Sequence, residues 1–332
     1  MRILVTGGLG FIGSNFCRHL IKTFPEYEII NIDKIGIETN QTSLKDLENE
    51  RRYKFIRGDT RDSKLLNNLI TDVDAVVNMA AETHVDTSIV DPTSFIQNNT
   101  VGTFTILEAI RNHNDKAKLV HVSTDEVYGE ILEGSVDEEG TIRPSNPYSA
   151  SKAAADFFVL AYCKTYGLNV TITRCTNNYG PYQFPDKLIP KTIVRVLKNL
   201  KVPVYGTGKN IRDWIYVQDH CEAVEHALIE EQSGEIYNIS SGNEMSNIEI
   251  VRKILKLLGK NENMIVFVED RPGHDVRYSL DSSKIRSRLN WKPRFSFKKA
   301  LESTVNWYLN NEWWWKSLAT EKILAPTPWK PE

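Results

Sequence analysis

Short apolar runs alternate with helical patterns through the first half of the chain. Ile3–Val5 is the first run, and a helix-period pattern follows from about Phe11 to Phe24. Glu28–Ile32, Tyr53–Arg57, Ala75–Asn78, Lys118–Ser123 and Val170–Arg174 are the next strand candidates. Each is separated from its neighbour by a segment long enough for a crossover helix, which predicts βαβ units and a parallel sheet. The runs are continuously apolar rather than alternating, as suits a sheet covered on both faces. The fold class expected is therefore α/β, with a doubly wound Rossmann-type parallel sheet.

After about Arg174 the rhythm changes. The stretch 177–190 is rich in Asn, Pro, Gly and Tyr, and Gly206, Gly208 and Gly242 mark further loops. Trp214–Val217 and Ile236–Ile239 still read as strands of the first sheet. The expected division is a dinucleotide-binding domain over residues 1–175, with returns near 211–243, and a smaller α+β ligand-binding domain over most of 176–332. Trp313-Trp314-Trp315 reads as an aromatic cluster packing on the domain surface or on a partner.

Composition narrows the function classes. With 41 basic and 43 acidic side chains the net charge is -2, so there is no basic excess of the kind nucleic acid requires. The four cysteines (Cys17, Cys163, Cys175, Cys221) form no C-x-x-C pair, which argues against a disulfide framework or a zinc site and for a reducing compartment. No His/Asp cluster has metal-ligand spacing. Met1-Arg2 leads into a strand and a glycine turn, without the apolar region of a signal peptide, and no run is long enough to span a membrane. A cytoplasmic protein is expected.

Gly7, Gly10 and Gly13 stand in G-x-x-G-x-x-G spacing between the first strand and the first helix. Glycine serves a tight turn, close approach of backbone to a pyrophosphate, and hard packing of helix on strand. The helix start, Phe11 and Ile12 included, then offers free N–H groups to the anion. Asp33 ends the second strand, twenty positions after Gly13. Its carboxylate can accept ribose hydroxyls and would repel an extra 2′-phosphate, favouring NAD over NADP, although the Lys34 cation could tolerate that phosphate. Asp59 or Thr60 could contact the adenine; a cap for the next helix explains Asp59 equally well.

Tyr148 and Lys152 are four apart, and Pro144 and Pro147 upstream favour a helix start there. On a helix the pair shares a face, and a cation beside a phenol would lower its pKa towards neutrality, making Tyr148 a general base for a hydroxyl group. The same spacing at Tyr205 and Lys209 spans two glycines and is discounted. Upstream, Thr124-Asp125-Glu126 closes a predicted strand at its carboxyl end, where open α/β sheets bind ligands. One acid kept protonated and one ionised could supply and remove protons; two solvated surface acids is the plainer reading.

Here the sequence resembles the dTDP-glucose 4,6-dehydratases of the extended short-chain dehydrogenase/reductase superfamily, over nearly its whole length. The resemblance rests on the glycine turn, on 80–86 (AAETHVD), 123–129 (STDEVYG), Tyr148–Lys152, 177–190 (NNYGPYQFPDKLIP) and 271–275 (RPGHD). The Asp125-Glu126 pair is its most discriminating part. The resemblance implies a hydro-lyase using NAD, with Tyr148 taking the C4 hydroxyl proton, Thr124 holding that oxygen, Glu126 acting on C5 and Asp125 assisting loss of the C6 hydroxyl as water. It implies Ala80, Ala81 and Asn177 beside the cofactor. It also implies His84, Thr124, Asn178, Lys187, Leu188, Tyr205, Arg212, Asn247, Arg271 and His274 around a sugar nucleotide, dTDP-glucose by preference and UDP-glucose as the alternative. Arg212 and the other cations suit a diphosphate on their own chemistry. A homodimer built from helices near Asn99–Asn112 and Tyr148–Tyr166 is implied as well.

Three positions depart from the family pattern. Thr87 replaces a common Arg, Asn98-Asn99-Thr100 replaces Thr-Asn-Ile, and Gln183 replaces a common His. The first two bear on cofactor retention and the third on the nucleotide base. Rival readings are an epimerase or decarboxylase on the same scaffold, against which Asp125 argues, and a silent NAD-binding module, which would have no chemical need for Tyr148, Lys152, Asp125 and Glu126 together.

Overall fold

A computed structural model describes residues 1–36, 38–230 and 232–330. The strands are β1 (Arg2–Thr6), β2 (Glu28–Asp33), β3 (Tyr53–Arg57), β4 (Ala75–Asn78), β5 (Lys118–Thr124), β6 (Val170–Cys175), β7 (Asn177–Tyr179), β8 (Val202–Tyr205), β9 (Ile211–Tyr216), β10 (Glu235–Ile239), β11 (Glu244–Ser246) and β12 (Ile265–Val268). The helices are α1 (Phe11–Thr23), α2 (Ser63–Ile70), α3 (Val85–Val90), α4 (Pro92–Phe95), α5 (Gly102–His113), α6 (Pro147–Tyr166), α7 (Leu188–Leu197), α8 (Val217–Ile229), α9 (Asn247–Leu257), α10 (Ser283–Arg288), α11 (Phe297–Asn310) and α12 (Glu312–Trp315).

Seven strands pair in parallel in the order β10-β6-β5-β4-β1-β2-β3. This is the doubly wound sheet that the apolar runs predict. Order reverses between β1 and β4, and that switch point is where such sheets open a ligand crevice. Helices α1 and α8 cover one face, with Phe16, Leu20, Val224 and Leu228 packed on Val5, Val77 and Val120. Helices α2, α5 and α6 cover the other through Leu66, Ile106, Ile110 and Val159. These side chains are essentially fully buried, each contributing ~1.5–3 kcal/mol over its exposed state. A third core joins α7, α9 and α11 around Ile193, Ile254 and Val305.

Three expectations need correction. Ile236–Ile239 does join the large sheet, as part of β10, but Trp214–Val217 does not: it falls in β9, of a separate three-stranded sheet β11-β9-β7, with Val217 already opening α8. The connection from β2 to β3 carries a 3-10 segment, Gln41–Leu47, in place of an α-helix. And β3, at the sheet edge, is not covered on both faces: Phe55 remains exposed. In the aromatic run, Trp314 and Trp315 are buried, and Trp314 Nε1 donates to Ser43 Oγ at 3.2 Å, while Trp313 is exposed.

Candidate active site

A cavity of about 400 Å³ runs from the glycine turn, past the ends of β4 and β5, to the loops around α7 and β8. Its first end is made by backbone. Gly7 follows β1 with φ +71°, and a Cβ there would stand 2.7 Å from the Ala80 backbone. A Cβ on Gly13 would meet Gly7 O at 2.3 Å, so α1 packs on the turn as closely as backbone allows. Gly10 caps α1 without a side-chain bond, which leaves the first-turn N–H groups facing the cavity where Phe11 and Ile12 line it.

Asp33 lines the same end. Its Oδ2 accepts from Leu9 N at 3.0 Å and Oδ1 from Ile35 N at 2.8 Å, so the carboxylate is fixed with lone pairs to spare. Lys34 donates to Glu82 Oε1 at 2.7 Å and Asn98 Oδ1 at 2.8 Å, and its charge is thereby engaged. Thr60, Ala80, Ala81 and Asn177 line the cavity too. Asp59 does not. Arg61 binds its carboxylate at 2.6 and 3.0 Å, and this short-range pair also holds its pKa down. A phosphate-cradling turn, an uncapped helix start and a fixed acid at the second strand end fit a dinucleotide carrying free ribose hydroxyls.

The middle of the cavity holds the acid pair and the Tyr/Lys face. Helix α6 starts where the prolines indicate. Asn146 Oδ1 accepts from Ser149 N at 2.9 Å in a capping box, with Pro147 in the first turn. That Tyr148 and Lys152 both line the cavity follows from their i, i+4 spacing. The pKa expectation for the pair is corrected. Burial, then the neighbouring Glu126, push the Tyr148 phenol well above its ordinary value, with Thr124 opposing through a hydrogen bond. Lys152 donates to Val122 O at 2.8 Å, and burial pulls its ammonium down to about 8. Desolvation of both groups outweighs the attraction that spacing alone suggests.

Asp125 is buried, with Oδ1 accepting from Thr124 Oγ1 at 3.2 Å and Oδ2 lacking any hydrogen-bond partner. Burial and then the Glu126 charge push its carboxyl well above the usual range, which favours its protonated form. Burial raises Glu126 as well, but Arg271 and Arg212 pull it back and Asn146 Nδ2 donates to its Oε2 at 3.4 Å. Two adjacent acids thus stand in different protonation environments.

The far end is polar and charged. Arg271 Nη1 donates to Asp86 Oδ1 at 2.7 Å, and Tyr205 OH donates to Asp86 Oδ2 at 2.9 Å. Arg212 Nη2 donates to Asp275 O at 2.9 Å and stacks on Tyr278. Lys187 lies 3.4 Å from Asp186 and 3.5 Å from Glu38, and His84 Nε2 is 3.7 Å from Asp186. Burial pulls His84 down to about 4, leaving it neutral near pH 7. His274 is bonded to Asp270 at 2.6 Å, and Asn178, Leu188 and Asn247 complete this wall. Sequence reading did not single out Asp86, Asp186, Asn146 or Lys191 as site residues. Asn146 carried a legible signal as a cap residue before a helix-starting proline; the acids carried none. Among the described residues no group of three His, Cys, Asp or Glu could hold a metal ion, and no helix is long and apolar enough to cross a membrane.

Of the departures, Thr87 is exposed with Oγ1 on His84 Nδ1 at 2.9 Å. Asn98 and Asn99 sit in a π-helical turn, Ile96–Val101, bonded to Glu82. Gln183 lines the cavity; Nε2 donates to Asn178 O at 2.8 Å and Oε1 is unpartnered.

By this fold the chain is an extended short-chain dehydrogenase/reductase. Within that class it belongs to the GDP-mannose 4,6 dehydratase family, whose model matches residues 4–304. It is 47% identical over 332 residues to a dTDP-glucose 4,6-dehydratase of Streptomyces niveus, covering 99% of this chain and 98% of that protein. The crystal structure of DesIV, a dTDP-glucose 4,6-dehydratase from Streptomyces venezuelae with NAD and dTDP bound, superposes with TM-score 0.94 at 44% identity, covering 96% of this chain and 100% of that one. A UDP-glucuronic acid 4-epimerase from Bacillus cereus shares the fold more distantly, with TM-score 0.88 and 30% identity over 93% of this chain and 99% of that one.

Proposed function

We propose that this protein is an NAD-dependent dTDP-glucose 4,6-dehydratase, converting dTDP-glucose to dTDP-4-keto-6-deoxy-glucose and water. One observation carries the reading: Asp125 and Glu126, adjacent in the chain, both face the cavity that holds Tyr148 and Lys152, and burial favours the protonated form of Asp125. Elimination next to a ketone needs an acid and a base in addition to a redox tyrosine, and this site has all three. The relatives' names support dTDP-glucose over UDP-glucose.

NAD, when bound along the glycine turn and Asp33, would supply a hydride acceptor and donor. Tyr148 takes the proton of the C4 hydroxyl while Thr124 Oγ1 holds that oxygen; the Thr124 hydrogen bond favours the phenolate against burial. The C4 ketone acidifies the C5 hydrogen, which Glu126 removes. Asp125 gives its proton to the C6 hydroxyl, which leaves as water. Glu126 then returns a proton to C5. Lys187, Arg212 and Arg271 suit the diphosphate.

A homodimer fits the surface of α5 and α6. These helices pack on each other and leave Phe104, Phe157 and Phe158 exposed on adjoining faces. Sedimentation should give a dimer for the wild type and a monomer for Phe157→Glu. Four free cysteines support a cytoplasmic enzyme. Product mass tests the catalytic reading: dehydration removes one water, whereas epimerisation leaves the mass unchanged.

A further inference from the structure

The C-terminal segment takes no part in the chemistry, yet it is laced to the cavity wall. Helix α7 begins directly after Lys187, and three of its cations, or cations just beyond it, bind main-chain carbonyls of that segment. Lys191 Nζ donates to Ala325 O at 2.6 Å, Arg195 Nη1 to Leu324 O, and Lys198 Nζ to Ala319 O at 3.3 Å. Their spacing, i, i+4 and i+7, puts all three on one side of the helix. Lys191 also lines the cavity.

The segment then delivers Trp329 to Tyr205. Trp329 is buried, and its ring meets the Tyr205 ring edge-on, with centroids 4.4 Å apart at 73°. Lys330 forms an ion pair with Glu269 just beyond. Tyr205 lines the cavity, with its hydroxyl bound to Asp86 and the His274 ring 6.3 Å away. The hydroxyl bond fixes the tip of this side chain, and the Trp329 edge fixes its ring plane. A ring not fixed in advance would have to be ordered when a ligand binds, at a cost in affinity.

We propose that Trp329 is a positioning residue for the nucleotide end of the site: it holds the Tyr205 ring in place for a flat nucleotide base, and Lys191 docks the segment that carries it. This rests on the nucleotide-sugar reading above. Trp329 touches Tyr205, not the reacting carbons, so its loss weakens binding and spares chemistry.

The test measures KM and kcat for dTDP-glucose, and the dissociation constant of dTDP alone by calorimetry, in full-length variants. Trp329→Ala should raise KM and the dTDP dissociation constant together by about five- to tenfold, the size of one lost aromatic contact, with kcat within about twofold. Trp329→Phe, which keeps a ring edge, should restore both. Lys191→Met should weaken dTDP binding in the same direction, and adding it to Trp329→Ala should cost little more, because both act through one segment. Trp313→Ala, an exposed neighbour in the chain, should match the wild type. A folded Trp329→Ala with unchanged KM and dTDP affinity overturns the proposal, as does a loss of kcat with KM unaltered. If Trp329→Ala does not fold, Trp329→Phe and Lys191→Met decide: rescue in the first and weakened dTDP binding in the second support the proposal, and wild-type dTDP affinity in Lys191→Met overturns it. A wild type that binds dTDP but does not dehydrate dTDP-glucose defeats the functional reading alone; one that binds no dTDP defeats both.

Discussion

Asp125→Asn separates the acid from everything else in the site. The change keeps the shape of the side chain, and the Asn carbonyl can still accept from Thr124, as Asp125 Oδ1 does at 3.2 Å. It removes a transferable proton. With burial favouring the protonated form of Asp125, the substitution exchanges one neutral group for another. An unpaired buried carboxylate would cost several kcal/mol, so replacing it would raise stability noticeably. Replacing a neutral acid should shift ΔG by about 1 kcal/mol or less, since Oδ2 has no partner to lose. Catalysis should respond differently. A positioned general acid contributes roughly 10²–10⁴-fold. At 1.36 kcal/mol per tenfold that is ~2.7–5.4 kcal/mol of barrier. The assay is a rapid-mix single turnover followed by NADH absorbance, with product mass on quenched samples. NADH should form at near wild-type rate and persist, while water loss slows by about two to four orders of magnitude. Wild-type dehydration by Asp125→Asn, or failure to form NADH, would refute the acid role; a stability gain of several kcal/mol would refute the protonated state.

Glu126→Gln should permit NADH formation and stop elimination, seen as no exchange of the C5 hydrogen with deuterated solvent. Tyr148→Phe should prevent NADH formation from the start, and unimpaired NADH in that variant would remove Tyr148 from its role. Gly13→Ala places a methyl 2.3 Å from Gly7 O and 2.7 Å from Gly8 Cα, both backbone, so NAD affinity measured by calorimetry should fall by about tenfold or more. Burial depresses His84 to about 4 and His220, whose ring nitrogens have no partner, to about 3. Their folded-state values lie below the unfolded ones, so the stability they provide is full above about pH 6.5 and is lost as pH falls towards about 4, by up to ~1.4 kcal/mol per pH unit for each group. The melting temperature should drop across that window, and His220→Phe should flatten the drop.

The sheet was legible because its central parallel strands are buried apolar runs, and the crossover spacing leaves few topologies. The glycine turn was legible because steric demand selects glycine at Gly7 and Gly13. Trp214–Val217 misled because β9 is buried in its own small sheet, and an apolar run does not say which sheet it joins. Asp59 is engaged by its neighbour two residues on, Arg61, a contact that strand-end reasoning does not see. The Tyr148–Lys152 spacing was right for a shared face, but the pKa expectation failed: burial of both groups, a tertiary property, governs. Asp86 was invisible because its partner, Arg271, lies 185 positions away in sequence.

The most direct measurement is the mass of the product after the purified protein is incubated with dTDP-glucose and, in parallel, UDP-glucose. The expected result is loss of one water from dTDP-glucose, much faster than from UDP-glucose. Unchanged mass with both substrates would contradict it.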